Sequence, residues 1–210
     1  MTNKTTVVYF VRHGQTAANA GNIIQGHTDV PLDETGLMQA DIVAKRLKNT
    51  HFDVIYSSDL SRALVTAKKI AGSREIITTP QLREWDLGHW QGRSLDEIRT
   101  FFHDEHQMYL EDDPDLTIVD GESSKEFKER AAAFMQGIAR KHPGQTILCV
   151  SHGGFLTKVF KYVLQVETLP RRPRIFNTAL CCFSTSDGGN TWQLVIWNDA
   201  SHLDEALDDV

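Results

Sequence analysis

Two histidines in this chain each follow an apolar run and precede glycine. The first lies in Arg12-His13-Gly14, after Val7-Val8-Tyr9-Phe10-Val11. The second lies in Ser151-His152-Gly153-Gly154, after residues 144–150 (GQTILCV). A neutral imidazole near pH 7 can attack an electrophile or carry a proton. The arginine beside the first offers a fixed, planar positive fork suited to phosphate oxygens. Gly14 lets the chain turn with no Cβ in the way, and Asn19 follows as a further donor. A second arginine, Arg62, lies in SSDLSRA, just past residues 52–56 (FDVIY). Two Arg and two His around one small cavity have the composition of a phosphate site. A lone Arg-His-Gly also reads as a strand end with a surface arginine and a capping histidine. It is the recurrence of the device that argues for chemistry.

Such a convergence needs parallel strands that end at one edge. Residues 7–11 are β-branched and aromatic without alternation, which reads as a strand buried on both faces. In parallel sheets, ligands collect at the carboxyl ends of the strands. Further strands are predicted at residues 52–56, 75–79, 144–150, 175–184 and 191–198, the last two joined by the turn Asp187-Gly188-Gly189-Asn190. Helices are predicted at residues 36–48 with Thr35 as N-cap, and at 60–71, 94–110, 122–141 and 155–164. A helix starting near Gly153 would add free backbone N–H groups and a positive dipole end. This alternation implies an α/β layered fold with a mainly parallel sheet. In the loop at residues 80–92 (PQLREWDLGHWQG), Trp85 and Trp90 read as packing residues. His103 and His106 read as solvated helix surface, with no third ligand spaced to join them at a metal.

The 210 residues fit one compact domain, 1–210, with an acidic tail from about residue 201. At 40% hydrophobic and 24% charged, the chain can bury a core without a disulfide or metal staple. The net charge is -6 and there is no long basic stretch, which argues against nucleic acid as a partner. An anionic ligand must then be held by a local positive pocket. Cys149, Cys181 and Cys182 read as buried thiols in a reducing cytosol. The sequence begins without an apolar leader, and no stretch approaches membrane-spanning length, so the expectation is a cytoplasmic protein without a membrane partner. A homodimer through an exposed late strand stays an open alternative.

Six blocks carry a resemblance: residues 11–19 (VRHGQTAAN), 25–36 (QGHTDVPLDETG), 57–67 (SSDLSRALVTA), 82–92 (LREWDLGHWQG), 120–130 (DGESSKEFKER) and 150–156 (VSHGGFL). In this order the chain resembles the histidine phosphatase superfamily, the phosphoglycerate-mutase-like proteins, from residue 6 to about 160. The match is looser at residues 175–183. The resemblance implies a three-layer α/β/α sandwich and phosphoryl transfer through a phosphohistidine on His13. It implies a phosphate pocket of Arg12, Arg62 and His152, with Gly153 beside it. Glu84 matches the family's proton donor, and Asn19, Gln25 and Gly26 match positions lining the substrate site. Asp86, two residues on, is the competing carboxylate. Two nearby arginines would favour the neutral, attacking form of His13, and a protonated His152 would stabilise the transferring group. Glu84 would protonate the leaving oxygen and then activate water. That scheme needs neither a metal nor an organic cofactor.

Mutases of this family usually carry an insertion after the Glu loop, with Arg and Lys that grip the substrate carboxylate. Here residues 103–120 (HDEHQMYLEDDPDLTIVD) hold no Lys or Arg, and the loop reads REWDLGHW in place of ERHYG. Both departures point to a phosphatase acting on a small phosphorylated metabolite. The alternatives are a cofactor-dependent phosphoglycerate mutase and a non-catalytic phospho-ligand binder. Acidic side chains in this segment would repel a doubly anionic acid wherever they face the pocket. Gln91 stands where an acidic residue is common, a departure confined to loop contacts. Arg83, Arg93, Arg171, Arg172 and Arg174 read for the most part as surface charge.

Overall fold

The apolar run that ends in Arg12 forms strand β1 (Thr6–Arg12). The computed structural model, which describes residues 5–170 and 172–203, continues with β2 (Val54–Ser57), β3 (Ile77–Thr78), β4 (Thr146–Ser151), β5 (Leu180–Thr185) and β6 (Gln193–Asp199). Arg171 and most of the expected acidic tail lie outside the described residues. The strands form one sheet in the order β3-β2-β4-β1-β5-β6. The first four pair in parallel; β5 and β6 join antiparallel on one side. The sheet is therefore mainly parallel, with β1 and β4 at its centre.

Successive side chains of a strand point to opposite faces, and both faces here are covered. Val8 and Phe10 of β1, with Ile147 and Cys149 of β4, pack against α6 (Ser124–Lys141) and α7 (Gly153–Leu164). Val11, Leu148 and Val150 face the other way, toward α2 (Glu34–Leu47) and α3 (Ser61–Ala71). This is the expected three-layer α/β/α sandwich. Trp85 and Trp90 are buried in the first of these cores, as packing residues. The three cysteines are free and buried. Among the described residues, no helix is long and apolar enough to cross a membrane.

The structure departs from the sequence reading at several boundaries. The cap of α2 is Asp33, whose carboxylate accepts the Gly36 N–H at 2.7 Å, while Thr35 lies inside the helix. Aspartate is the stronger cap, which explains the choice. The helix predicted over residues 94–110 is two helices, α4 (Leu95–Phe101) and α5 (His103–Leu110), broken at Phe102. No Gly or Pro marks that break. Phe102 instead turns to pack 4.5 Å from the His89 ring, with the Arg93 guanidinium 5.3 Å from its centroid. His106 on α5 is buried, not solvated. Strand β5 starts only at Leu180 because the preceding residues are tied to the end of β1: Thr178 N donates to the Arg12 carbonyl at 3.0 Å.

Beyond β1 the chain crosses the start of α2 at backbone contact distance. A Cβ on Gly14 would lie 2.4 Å from the Gly36 carbonyl oxygen, and one on Gly36 would lie 2.0 Å from that of Gln15. Neither clash can be relieved by a side chain moving aside. Gly36→Ala is therefore expected to cost about 1–3 kcal/mol. Thermal unfolding should show a Tm lowered by several degrees, and an unchanged Tm would refute the close approach.

Candidate active site

The parallel register pairs Arg12 with Ser151, so β1 and β4 end level with each other. The residues that follow, His13 and His152, face one another with ring centroids 5.0 Å apart and planes inclined by 57°. The His13 backbone is held on both sides: its N–H donates to the Ser151 carbonyl at 3.0 Å and its carbonyl accepts from Asn177 Nδ2 at 2.9 Å. Arg62 enters from the first turn of α3 and is 1% exposed. Its terminal nitrogens donate to the Gly26 carbonyl at 2.7 Å and the Thr28 carbonyl at 2.8 Å. Arg12 donates through Nη1 to the Ile175 carbonyl. The Nε atoms of both arginines and Nδ1 of His152 are buried without a protein partner among the described residues. Buried donors left unpaired are costly, and an anion is the ligand that suits them.

The protonation of His13 follows from its neighbour. Its Nδ1 lies 2.7 Å from the Gly14 carbonyl oxygen, which can only accept. Nδ1 therefore carries the proton and Nε2 keeps its lone pair. Burial pushes the His13 pKa well below the usual imidazole range, and the Arg12 and Arg62 charges push it further, outweighing the bond to Gly14. The expected direction is found, with burial as its main cause. His152 is pushed down as well, by burial first and then by Arg62, His13 and Arg12. Its surroundings thus favour the neutral ring, where the sequence reading invoked a protonated one. Its Nε2 lies 2.9 Å from the Ser58 hydroxyl. Burial lowers Arg62 to about 10, which leaves it charged at neutral pH.

A cavity of about 150 Å³ opens on His13 and the two arginines, while His152 is fully buried and not on its wall. Arg12, His13, Arg62 and Glu84 line it, together with the expected Asn19, Gln25 and Gly26. The Asn19 side-chain oxygen takes part in the capping box of α1 (Ala17–Ala20) with Thr16, and Gln25 Oε1 accepts from the Thr16 hydroxyl at 3.0 Å. Gly153 packs against Arg12 and is not on the cavity wall, whereas Gly154 is. Glu84 Oε1 accepts from Trp85 N at 2.9 Å and Oε2 from Gly154 N at 3.0 Å. A Cβ on Gly154 would fall 2.2 Å from Oε1, so glycine is what admits the carboxylate. One of the helix N–H groups expected to serve a phosphate thus serves Glu84. Asp86 does not compete: it accepts from Gly88 N at 3.2 Å and sits 3.4 Å from His27 Nδ1, outside the cavity.

Three groups that the sequence reading did not single out hold Glu84 in place. His27 Nε2 donates to the Glu84 carbonyl at 2.9 Å, and Gln91 accepts from the His27 N–H, a loop contact as expected. The Arg130 guanidinium makes five hydrogen bonds, two to the Glu122 carboxylate and one each to the carbonyls of Gln81, Arg83 and Glu84, all within 3.0 Å. His27, Glu122 and Arg130 lie inside the quoted blocks, but nothing in their spacing announces these contacts. The acidic segment also behaves differently from expectation. None of its carboxylates lines the cavity; it contributes Tyr109 instead. Arg172, read as surface charge, lines the cavity too, while Arg83 is tied to Asp59 at 2.6 Å. Among the described residues, no three His, Cys, Asp or Glu side chains group as metal ligands.

The two imidazoles make a testable pair. Both should remain neutral as pH falls through 6.5, read by their ring nitrogen shifts in NMR. The unfolded chain takes up those protons near pH 6.5, so folding stability is full above that pH and is lost as pH falls below it. Arg62→Gln removes a cation and should raise both pKa values, with burial still holding them low. A wild-type His13 that titrates at or above 6.5 would contradict this electrostatic picture.

Comparisons with known proteins identify the family. The family model of the histidine phosphatase superfamily (branch 1) matches residues 8–200. Phosphoglycerate mutase-like protein 4 of Arabidopsis thaliana is 36% identical over 203 residues, spanning 94% of this chain and 87% of that protein. The metal-independent phosphoserine phosphatase of the same plant is 32% identical, spanning 96% and 84%. The crystal structure of phosphoserine phosphatase from Entamoeba histolytica, in complex with 3-phosphoglyceric acid, superposes with a TM-score of 0.85 at 31% identity, covering 94% of this chain and 99% of that one. The chain belongs to the histidine phosphatase superfamily, branch 1.

Proposed function

We propose that this protein is a phosphatase that cleaves small phosphomonoesters through a phosphohistidine on His13. The observation that carries the reading is a neutral His13 with a bare Nε2, in one cavity with two arginines and a carboxylate. In the first step Nε2 attacks phosphorus and the ester P–O bond breaks. Arg12 and Arg62 neutralise charge on the phosphoryl oxygens through nitrogens that have no acceptor among the described residues. With the Ser58 hydroxyl donating to its Nε2, neutral His152 offers its Nδ1–H to the same group. Glu84 gives its proton to the leaving oxygen. In the second step Glu84, now a carboxylate, takes a proton from water as that water attacks phosphorus, and the P–N bond returns its electrons to His13.

A cavity of about 150 Å³ is small beside ordinary ligand sites, which favours substrates with a short carbon skeleton. The relatives support small phosphorylated ligands: one is named for phosphoserine, another was crystallised with 3-phosphoglyceric acid. The mutase-like relative supports the second reading, in which the phosphoryl group returns to a sugar acid instead of passing to water. The lack of Lys and Arg in residues 103–120 favours water as the acceptor.

Phosphate release from p-nitrophenyl phosphate and 3-phosphoglycerate separates these readings. Release should resist EDTA and fall by about 10³-fold or more in His13→Ala. Glu84→Gln should lower kcat/KM by about 10²–10⁴-fold, more for an alkyl phosphate than for the p-nitrophenyl ester, whose leaving group needs little protonation. Acid-labile phosphate should appear on His13. Interconversion of 3- and 2-phosphoglycerate on addition of a bisphosphoglycerate primer, without release, would make the protein a mutase.

A further inference from the structure

One wall of the cavity carries a charge surplus that the phosphoryl scheme does not use. Arg172 lies over Tyr109, its guanidinium carbon 3.7 Å from the ring centroid and 5.4 Å from that of Trp85. Its Nε donates to the Tyr109 carbonyl at 3.2 Å, and Nη2 lies 3.6 Å from Asp112 Oδ1. Nη1 has no acceptor among the described residues. Asp112 is also the partner of Lys161 and, at 3.8 Å, of Lys158. Among the described residues, no other carboxylate comes within ion-pair distance of these three cations. Asp112, Lys158 and Lys161 are all nearly inaccessible to water. Three positive charges therefore face one negative charge, with both lysines and the carboxylate out of water and Arg172 partly exposed. Burial first, and then the neighbouring Lys161 charge, pull the Lys158 amine down to about 8.

Arg172 is the member of this cluster that reaches the cavity holding His13. Stacking, a backbone bond and an ion pair fix its plane, so binding a ligand costs little ordering. A planar fork suits a group with two coplanar anionic oxygens. We infer that Arg172, shelved on Tyr109 and Trp85, forms a second anion subsite that takes the carboxylate of a short phosphorylated acid. This inference rests on the phosphatase reading for the placement of the phosphoryl end at His13. Arg174 is the competing cation. It lines the adjoining cleft beside Asn177, but it is exposed, with its guanidinium 4.9 Å from the Phe176 ring.

The test compares 3-phosphoglycerate with glycerol 3-phosphate, which differ in that a carboxylate replaces a hydroxymethyl group. For the wild type, kcat/KM should favour the acid. Arg172→Met should raise KM for 3-phosphoglycerate by about 10–100-fold, with kcat within about threefold, and leave glycerol 3-phosphate within about twofold. Arg172→Lys should recover part of the loss. Equal losses on both substrates would mean that Arg172 only props up Tyr109, and would overturn the subsite. So would no change on either, or a selective loss produced by Arg174→Ala instead. If the wild type releases phosphate from neither compound, the phosphatase reading fails, and calorimetry still reads the subsite. A tenfold tighter Kd for the acid that is lost in Arg172→Met sustains it, and equal Kd values overturn it.

Discussion

The cavity depends first on one pairing: β1 beside β4, parallel, with Arg12 level with Ser151. A slip of one residue would turn every side chain of one strand to the opposite face. Val8 and Phe10 would then exchange helical layers with Val11, and the two histidines would no longer meet. Because both faces of these strands are dry, the hydrophobic cores enforce the register on each side. The same burial supplies the electrostatics. Desolvation, more than either arginine, holds His13 in its neutral form.

The layers on the two faces contribute different halves of the site. The layer of α2 and α3 delivers Arg62 and, through the contact of Gly14 with Gly36, shapes the turn after His13. The layer of α6 and α7 governs the carboxylate. Gly154 at the start of α7 receives Glu84, and Arg130 on α6 gathers the carbonyls of three loop residues into one fork. A loop with only two short 3-10 turns of its own, Pro80–Leu82 and Gly88–Trp90, thus borrows the rigidity of a long helix. All five donors of that guanidinium are engaged, and a lysine offers no planar fork to replace them.

The parts of the site most legible in the sequence are those set by strand ends. His13 and His152 follow apolar runs too uniform to be anything but central strands, and Arg62 lies one turn past a third. Glu84 was legible through its block, since its loop has no periodicity of its own. Arg172 and Tyr109 were not legible. One stands among several arginines and the other among acids, and only the fold shows that Asp112 is buried and that no carboxylate of the segment lines the cavity. The break at Phe102 was hidden for a similar reason. It comes from packing against His89 and Arg93, which lie before the helix and carry no turn signal. Thr35 was the expected cap of α2, and Asp33 takes that place because its carboxylate meets the Gly36 N–H.

The position of β1 in the sheet bears on how the chain is made. Val8 pairs with Ile147 on one side and Phe183 on the other, so the strand that carries the nucleophile has both partners far along the sequence. During synthesis it leaves the ribosome early and finds its neighbours late. Helices can form and pack locally in the meantime, but the sheet closes only after a long wait, with the slow kinetics of non-local pairing. Until then an apolar strand with two open edges is exposed to other chains. A nascent chain halted before β5 holds every residue of the phosphate pocket and still lacks one flank of the strand that positions it.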